Sequence, residues 1–184
     1  LIPRLADFRR QYPSVKIRLE MITQDPDLST STADIFIAGK LNQRGYWQQL
    51  LHKERLIPVC SPNFYLKWRD ISLSNFQQQA LLVVDEGPLG LDWHKWSSAH
   101  QIPLDNEQQH VFSHIVMAIE AAIAGQGLAL APDFMVAGDI TTGRLVALNL
   151  PDVHTGFEFT FFCKQRRLSE PAIAAFSSWL KSQA

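Results

Sequence analysis

Apolar and polar positions along the chain switch between two periods. Leu1, Leu5, Phe8 and Tyr12 recur at helical spacing, with Pro3 suited to a first turn and Pro13 as a stop. Val15, Ile17, Leu19 and Met21 then alternate with Lys16, Arg18 and Glu20, which predicts a strand with one wet face. Residues 24–32 are polar and turn-rich. Ala33 to Ala38 is a short apolar run closed by Gly39, as expected of a buried parallel strand. Leu50–Leu51 and Leu56–Cys60 read as two separate strands, the second ended by Ser61-Pro62. Residues 63–69 suit a helical turn, and Ser74 suits the cap of a short helix through Gln79.

Leu81 to Val84 is a further buried strand, ending at Asp85-Glu86-Gly87-Pro88. Leu91 to Ala99, with Trp93 and Trp96, has helical character. Val111 and Phe112 form a short strand. Ser113 is placed as the cap of an amphipathic helix carrying Ile115, Val116, Ile119, Ala122 and Ile123, closed by Gly125 and Gly127. Leu128 to Ala131 is a strand stopped by Pro132, Asp133 to Ala137 one helical turn, and Leu145 to Leu148 a strand. Phe157 to Cys163 is the richest strand signal. Pro171, Ile173, Phe176, Trp179 and Leu180 mark a last helix.

Helices and strands therefore alternate almost throughout, which predicts an α/β fold with mostly parallel sheets. Two helix–strand series, separated near residues 60–80, predict two lobes joined by more than one crossing segment. Open α/β sheets bind ligands at strand carboxyl ends, and pockets favour domain interfaces, so a cleft between the lobes is the expected site.

Composition narrows the function. Hydrophobic residues are 46% of the 184 and charged residues 19%, which excludes a disordered chain. Lys plus Arg is 17 against 18 Asp plus Glu, a net charge of -1, so these residues alone lack the basic excess of a nucleic-acid module. Apolar runs fall short of the ~18 residues a membrane span requires. Cys60 and Cys163 are too few for a disulfide framework and read as buried, reduced thiols of a cytoplasmic protein. The chain opens inside a helical pattern without an initiating Met, from which an upstream strand, or a whole domain, is expected.

Motifs for catalysis are weak. Gly125-Gln126-Gly127 ends a helix instead of opening one, so it reads as a C-cap and not a phosphate loop. His110 and His114, with His94 and His100 upstream, lack the companions of a zinc site, and no metal or other cofactor is expected. No G-x-S-x-G elbow is present, and no Cys lies at a helix start. Trp93 and Trp96 read as packing residues, and Lys164-Gln165-Arg166-Arg167 as a solvated loop. Ser113 and His114 are more informative. They sit where a strand meets the strongest helix, and free N–H groups there favour a carboxylate or other anion; simple capping by Ser113 explains the residue equally well.

Six segments then resemble, in order, the effector-binding domain of LysR-type transcriptional regulators. They are Leu1-Ile2-Pro3-Arg4-Leu5-Ala6-Asp7-Phe8 with Tyr12-Pro13; Ala33-Asp34-Ile35-Phe36-Ile37; Leu56-Ile57-Pro58-Val59-Cys60-Ser61-Pro62; the run from Ala121 through Gly125-Gln126-Gly127 to Pro132; Gly143-Arg144-Leu145-Val146; and Pro171 to Leu180. Trp93-His94-Lys95-Trp96 and the run before Gly127 look closest to the branch that includes the glycine-cleavage activator and the β-lactamase regulator.

The resemblance implies two Rossmann-like lobes with a central cleft, like type II periplasmic binding proteins. Lobe I would hold residues 1–61 and 158–184, with its first strand missing, and lobe II residues 62–157. The family's winged helix-turn-helix would lie outside this chain. The implied effector-binding residues are Gly39, Lys40, Cys60, Ser61, Asp85, Glu86, Ser113, His114, Phe159 and Phe161. Lys40 would offer a cation and Ser113 a backbone donor, which suits a carboxylate-bearing small molecule. The family also pairs these domains antiparallel, so helix 2–11 and strand 15–21 would meet helix 114–124 of a second copy. The expected role is a non-catalytic, ligand-sensing domain of a bacterial, cytoplasmic regulator. DNA would be bound only through the missing domain, with a higher oligomer in the full-length protein and no contact with membranes. A free-standing solute-binding protein of the same fold, or an enzyme built on it, are the rival readings.

Overall fold

A computed structural model describes residues 4–20, 32–39, 44–68, 71–85, 92–104 and 108–183. The chain divides into two compact units, Leu1–Lys53 with Gly156–Ala184, and Glu54–Thr155. The elements in chain order are α1 (Leu5–Gln11), β1 (Ile35–Ala38), β2 (Tyr46–Cys60), α2 (Pro62–Lys67), β3 (Leu81–Val84), α3 (Asp92–His100), β4 (Gln109–Phe112), α4 (Ile115–Ile123), β5 (Leu128–Pro132), α5 (Asp133–Thr141), β6 (Val146–Ala147), β7 (Val153–Lys164) and α6 (Pro171–Lys181). Single 3-10 turns occur at Phe76–Gln78 and Gln165–Arg167.

The first unit is built on β1 and β7, which pair antiparallel with Ile35 opposite Cys163 and Ala38 opposite Thr160. One face carries Phe161 and Cys163 into a core with Leu5 and Phe8 of α1 and Ile173, Phe176, Trp179 and Leu180 of α6. Aromatic edges lock it: the Phe8 ring lies 5.2 Å from Phe176 and 5.4 Å from Trp179. The other face holds a smaller cluster of Phe36, Ala38 and Phe162.

The second unit is doubly wound. β3 runs parallel to β4 and to β5, while β2 pairs antiparallel with β5 and with β6. Strand alternation sends Leu81, Leu128 and Leu130 to one face, where they meet Trp93 and Trp96 of α3 and Phe76. Leu82, Val84, Ala129 and Ala131 go to the other face, against Ala118, Ile119, Ala121 and Ala122 of α4 and Val136 of α5. Small residues on both sides let α4 approach β5 closely, because alanines facing alanines leave little side-chain depth between the backbones.

Several expectations need correction. The two strands expected at Leu50–Leu51 and Leu56–Cys60 are one 15-residue strand, β2. His52, Lys53, Glu54 and Arg55 interrupt the apolar pattern without interrupting the backbone, since polar side chains are compatible with a strand wherever they have partners or solvent. The sheets are mixed rather than mostly parallel, because β2 and β7 each run from one unit into the other and pair antiparallel in them. Residues 15–20 form no ladder with a described strand, although Val15 and Ile17 are half-buried against the first core and Lys16 and Arg18 are exposed. Alternation alone cannot make a strand; a neighbour must supply its hydrogen bonds. Met21, the last residue of the expected strand, is outside the described residues, as are Leu1 to Pro3.

The expected Ser74 cap is replaced. Asn75 precedes a single 3-10 turn, and the Ser74 hydroxyl lies 2.9 Å from that of Ser72. The expected turn at Asp133–Ala137 extends to Thr141. The Lys164–Arg167 segment is also more than a solvated loop. Arg167 pairs with Asp34 and holds Glu170 at 2.7 Å, hydrogen bonds that raise the guanidinium above its usual range and lower the Glu170 carboxyl.

Candidate functional site at the carboxyl ends of the parallel strands

Register divides the expected site residues of the second unit into two groups. Val59 lies opposite Ala129, and Ala129 lies opposite Leu82, so Cys60 sits in the row of Leu81 and Leu128, at the amino ends of β3 and β5. Val84 lies opposite Phe112, so Asp85 and Ser113 leave β3 and β4 together at the carboxyl ends. At about 3.3 Å per residue, roughly 13 Å of strand separates the two groups.

The amino-end group is structural. Ser61 is 4% exposed, and its Oγ accepts the Phe64 N–H at 3.2 Å, capping α2, whose first residue is Pro62. Cys60 is fully buried, and burial pushes its thiol up to about 12. These two side chains face the core and a helix end.

The carboxyl-end group is open. The Asp85 N–H donates to the Phe112 carbonyl at 2.8 Å, continuing the ladder one residue past the strands, and both Asp85 and Ser113 are exposed. His114, not Ser113, occupies the N-cap position of α4, and no side chain caps the helix. The expected Ser113 cap fails because its hydroxyl is turned to His114 Nδ1, at 2.9 Å, and to Met117 Sδ, at 3.6 Å. The first turn of α4 therefore keeps N–H groups that no side-chain cap satisfies, at the positive end of its dipole. Parallel strands with ligands at their carboxyl ends are the general pattern of such sheets.

Charged residues that sequence reasoning passed over gather at this same end. Arg55, opposite the end of β5, donates from Nε to Asp133 at 3.2 Å and from Nη1 to Asp152 at 3.1 Å. Glu54 is 4% exposed and accepts the Thr155 hydroxyl at 2.7 Å. Asp92 opens α3 at 6% exposure, and its Oδ1 has no hydrogen-bond partner. Burial raises its carboxyl to about 7, with Lys95 opposing the rise and Glu54 adding to it. The signal available in the sequence was the charged run His52-Lys53-Glu54-Arg55 between the apolar pairs Leu50-Leu51 and Leu56-Ile57.

In the first unit Gly39 ends β1 and is buried. Phe161 is 1% exposed and packs edge-on to Trp47 at 5.5 Å, so it belongs to the core; Phe159 is half-buried and pairs with Phe157 at 4.9 Å. Lys40 and Glu86 lie outside the described residues. Trp93 and Trp96 are packing residues, at 2% and 0% exposure. Among the described residues no three or more His, Cys, Asp or Glu side chains gather as a metal would require.

A doubly wound unit, Glu54–Thr155, and a separate unit built on β1 and β7 set the fold class. The family model for the LysR substrate binding domain matches residues 1–184, and the chain belongs to that family. It is 30% identical to the glycine cleavage system transcriptional activator of Escherichia coli (strain K12), covering all of this chain and 60% of that protein. It is 27% identical to the transcriptional activator AmpR of Rhodobacter capsulatus, covering all of this chain and 62% of the relative. Both lie in the branch the tryptophan motif suggested. Among solved structures it resembles the AmpR effector binding domain from Citrobacter freundii, with TM-score 0.74, 25% identity, and 99% of this chain and 90% of that one covered. The fold is thus that of LysR effector-binding domains. The chain spans about 60% of the length of the curated relatives it matches.

Proposed function

We propose that this domain senses a small-molecule effector for a cytoplasmic transcriptional regulator, without catalysing a reaction. Within the second unit, the observation that carries the reading is the convergence of Asp85, Ser113 and His114 at the carboxyl ends of β3 and β4, beside the uncapped start of α4. Ser113, His114 and the start of α4 offer hydrogen-bond donors and a positive dipole end to an anionic group, which favours a carboxylate-bearing effector, while the Asp85 carboxylate adds an acceptor for a donor group of the same molecule. Gly39, Lys40, Glu86 and Phe159 complete the proposed set, while Cys60, Ser61 and Phe161 are assigned to the structure around it. The family membership and the activator names of the relatives support a regulatory role. DNA contact belongs to a winged helix-turn-helix outside this chain, in keeping with the net charge of -1.

Control follows if the effector prefers one geometry of the regulator over another; equal affinity for both would shift nothing. Pairing of two domains through α4 is part of the same proposal. Val116 and Met117 on that helix are 57% and 51% exposed, although α4 is among the most apolar segments of the chain.

A thermal-shift screen of amino acids and small carboxylates tests the site. A ligand at a hundred times its Kd should stabilise the fold by about 2.7 kcal/mol. Ser113→Asp, which places a like charge at the start of α4, should abolish the shift for any carboxylate that binds there. An undiminished shift in that variant would remove the site.

A further inference from the structure

Two acids from different elements, Glu54 of β2 and Asp92 at the start of α3, are buried within reach of each other's charge. Glu54 lies two residues beyond Leu56, the partner of Pro132 at the end of β5, so the pair belongs to the carboxyl-end side of the sheet. Only one of the two acids is satisfied. Glu54 accepts the Thr155 hydroxyl from β7, whereas Asp92 Oδ1 is buried without a hydrogen-bond partner. A buried carboxylate needs donors or a counter-ion, and a second acid beside it disfavours its charge further.

Other forces favour the charge. Asp92 stands in the first turn of α3, at the positive end of the helix dipole, and Lys95 follows one turn on. Among the described residues, Glu54 and Lys95 are the charged groups that act on Asp92, and they act in opposite directions. From β7, Thr155 turns its hydroxyl to Glu54 and the neighbouring His154 is exposed; Arg55, next to Glu54, is held by Asp133 and Asp152. The balance puts the Asp92 carboxyl at about 7. The helix beyond its first residue is fastened independently. The Trp93 indole donates to the Leu82 carbonyl at 3.2 Å, the Trp96 indole to the Pro151 carbonyl, and His100 Nε2 is bonded to the Asp152 carbonyl at 2.8 Å.

We propose that Asp92 is a proton-operated latch on the start of α3: the neutral acid lies buried beside Glu54 and closes the first turn, and ionisation, with the proton passing to solvent, releases it. The opening is local, because the indole and imidazole bonds hold the remainder of the helix. The folded carboxyl lies above its ordinary value, so the closed form is favoured at low pH and that preference is lost as pH rises through 7.

Native-state hydrogen exchange in low urea tests the latch without any ligand. In an α-helix the Trp96 N–H bonds to the Asp92 carbonyl. The exchange rate of that amide, taken relative to the same amide in Asp92→Asn, should rise about tenfold or more between pH 5.5 and pH 8. It should depend little on urea, as local opening does, while the amides of β5 respond steeply. Tryptophan fluorescence gives a second readout. It should show a step near pH 7 that Asp92→Asn removes. Glu54→Gln, which keeps an acceptor for Thr155, should move that step to lower pH, and Lys95→Met should move it to higher pH. A relative exchange rate that stays constant with pH would overturn the proposal. So would a Trp96 amide that shares the urea dependence of β5, or a fluorescence step that neither substitution moves. The effector reading stands or falls separately, on the Ser113 arm.

Discussion

Gly127 passes so close to Ala80 that a Cβ at residue 127 would stand 2.3 Å from the Ala80 carbonyl oxygen. The same carbonyl accepts the Leu128 N–H at 2.9 Å, tying the entry of β5 to the entry of β3. Two residues earlier Gly125 takes φ +78° and ends α4, with its N–H donating to Ala122 and that of Gln126 to Ala121, both at 3.0 Å. The two glycines thus serve different needs, a left-handed cap and a close backbone approach. Gly127→Ala should cost about 2 kcal/mol or more, because backbone must move to admit the methyl group. Denaturant unfolding should show this as a lower midpoint at unchanged slope; an unaltered midpoint would refute the contact.

Ser61 separates a capping role from a binding role. Its hydroxyl accepts the Phe64 N–H, and the residue lies at the amino ends of the strands, away from Ser113. Ser61→Ala should cost about 1 kcal/mol of stability and leave effector affinity unaltered. Loss of effector binding at unchanged stability would return Ser61 to the site.

Asp92 should make stability depend on pH. Its folded carboxyl is raised from 3.8 to about 7, chiefly by burial, so the folded state holds the proton more tightly than the unfolded chain. The associated stabilisation is complete below about pH 3.9, the ordinary unfolded value, and is lost as pH rises through 7. Asp92→Asn removes the ionisation at nearly constant shape. The variant should lose less stability than the natural protein between pH 5 and pH 8, and should be the more stable of the two at pH 8. Parallel urea titrations at the two pH values check this, and identical pH profiles would count against the burial of an ionising group.

Much of the second unit was legible because its strands are apolar on both faces and short, so Leu81–Val84 and Leu128–Pro132 announce themselves. Its two cores follow from alternation along those strands. What the sequence hid depends on partners distant in the chain. β2 looked broken because His52 to Arg55 are polar, yet Glu54 and Arg55 find Thr155, Asp133 and Asp152 about 80 to 100 residues away. Ser113 looked like a cap because caps are common at strand-to-helix junctions, and only the geometry turns its hydroxyl to His114. The family resemblance implies that Cys60 and Ser61 share a site with Asp85, but β2 runs antiparallel to β5 and delivers them to the other end. Direction, which no local pattern encodes, decided which expected residues could meet.

The proposed pairing through α4 can be tested with two substitutions that differ only in which side of the helix they load. The sequence makes α4 apolar nearly all round, which invites the idea that any of its residues could face a partner. The structure divides them. Ala118 and Ala122 are fully buried, and Ala121 is 6% exposed, against β3 and β5 in the same unit. Val116 and Met117 face outward, and Val111 on β4 is 62% exposed. A glutamate at Ala118 would place a charge in a packed apolar layer and should unfold the unit, so it cannot report on assembly. A glutamate at Val116 remains hydrated in the monomer and costs little there, but would be buried or repelled in an interface built on that face. Val116→Glu should therefore convert a dimer to a folded monomer in sedimentation velocity, with unchanged circular dichroism and a melting temperature that no longer depends on protein concentration. Ala118→Glu should lose the circular dichroism signal of the fold. A Val116→Glu protein that sediments as the same dimer would place the interface elsewhere.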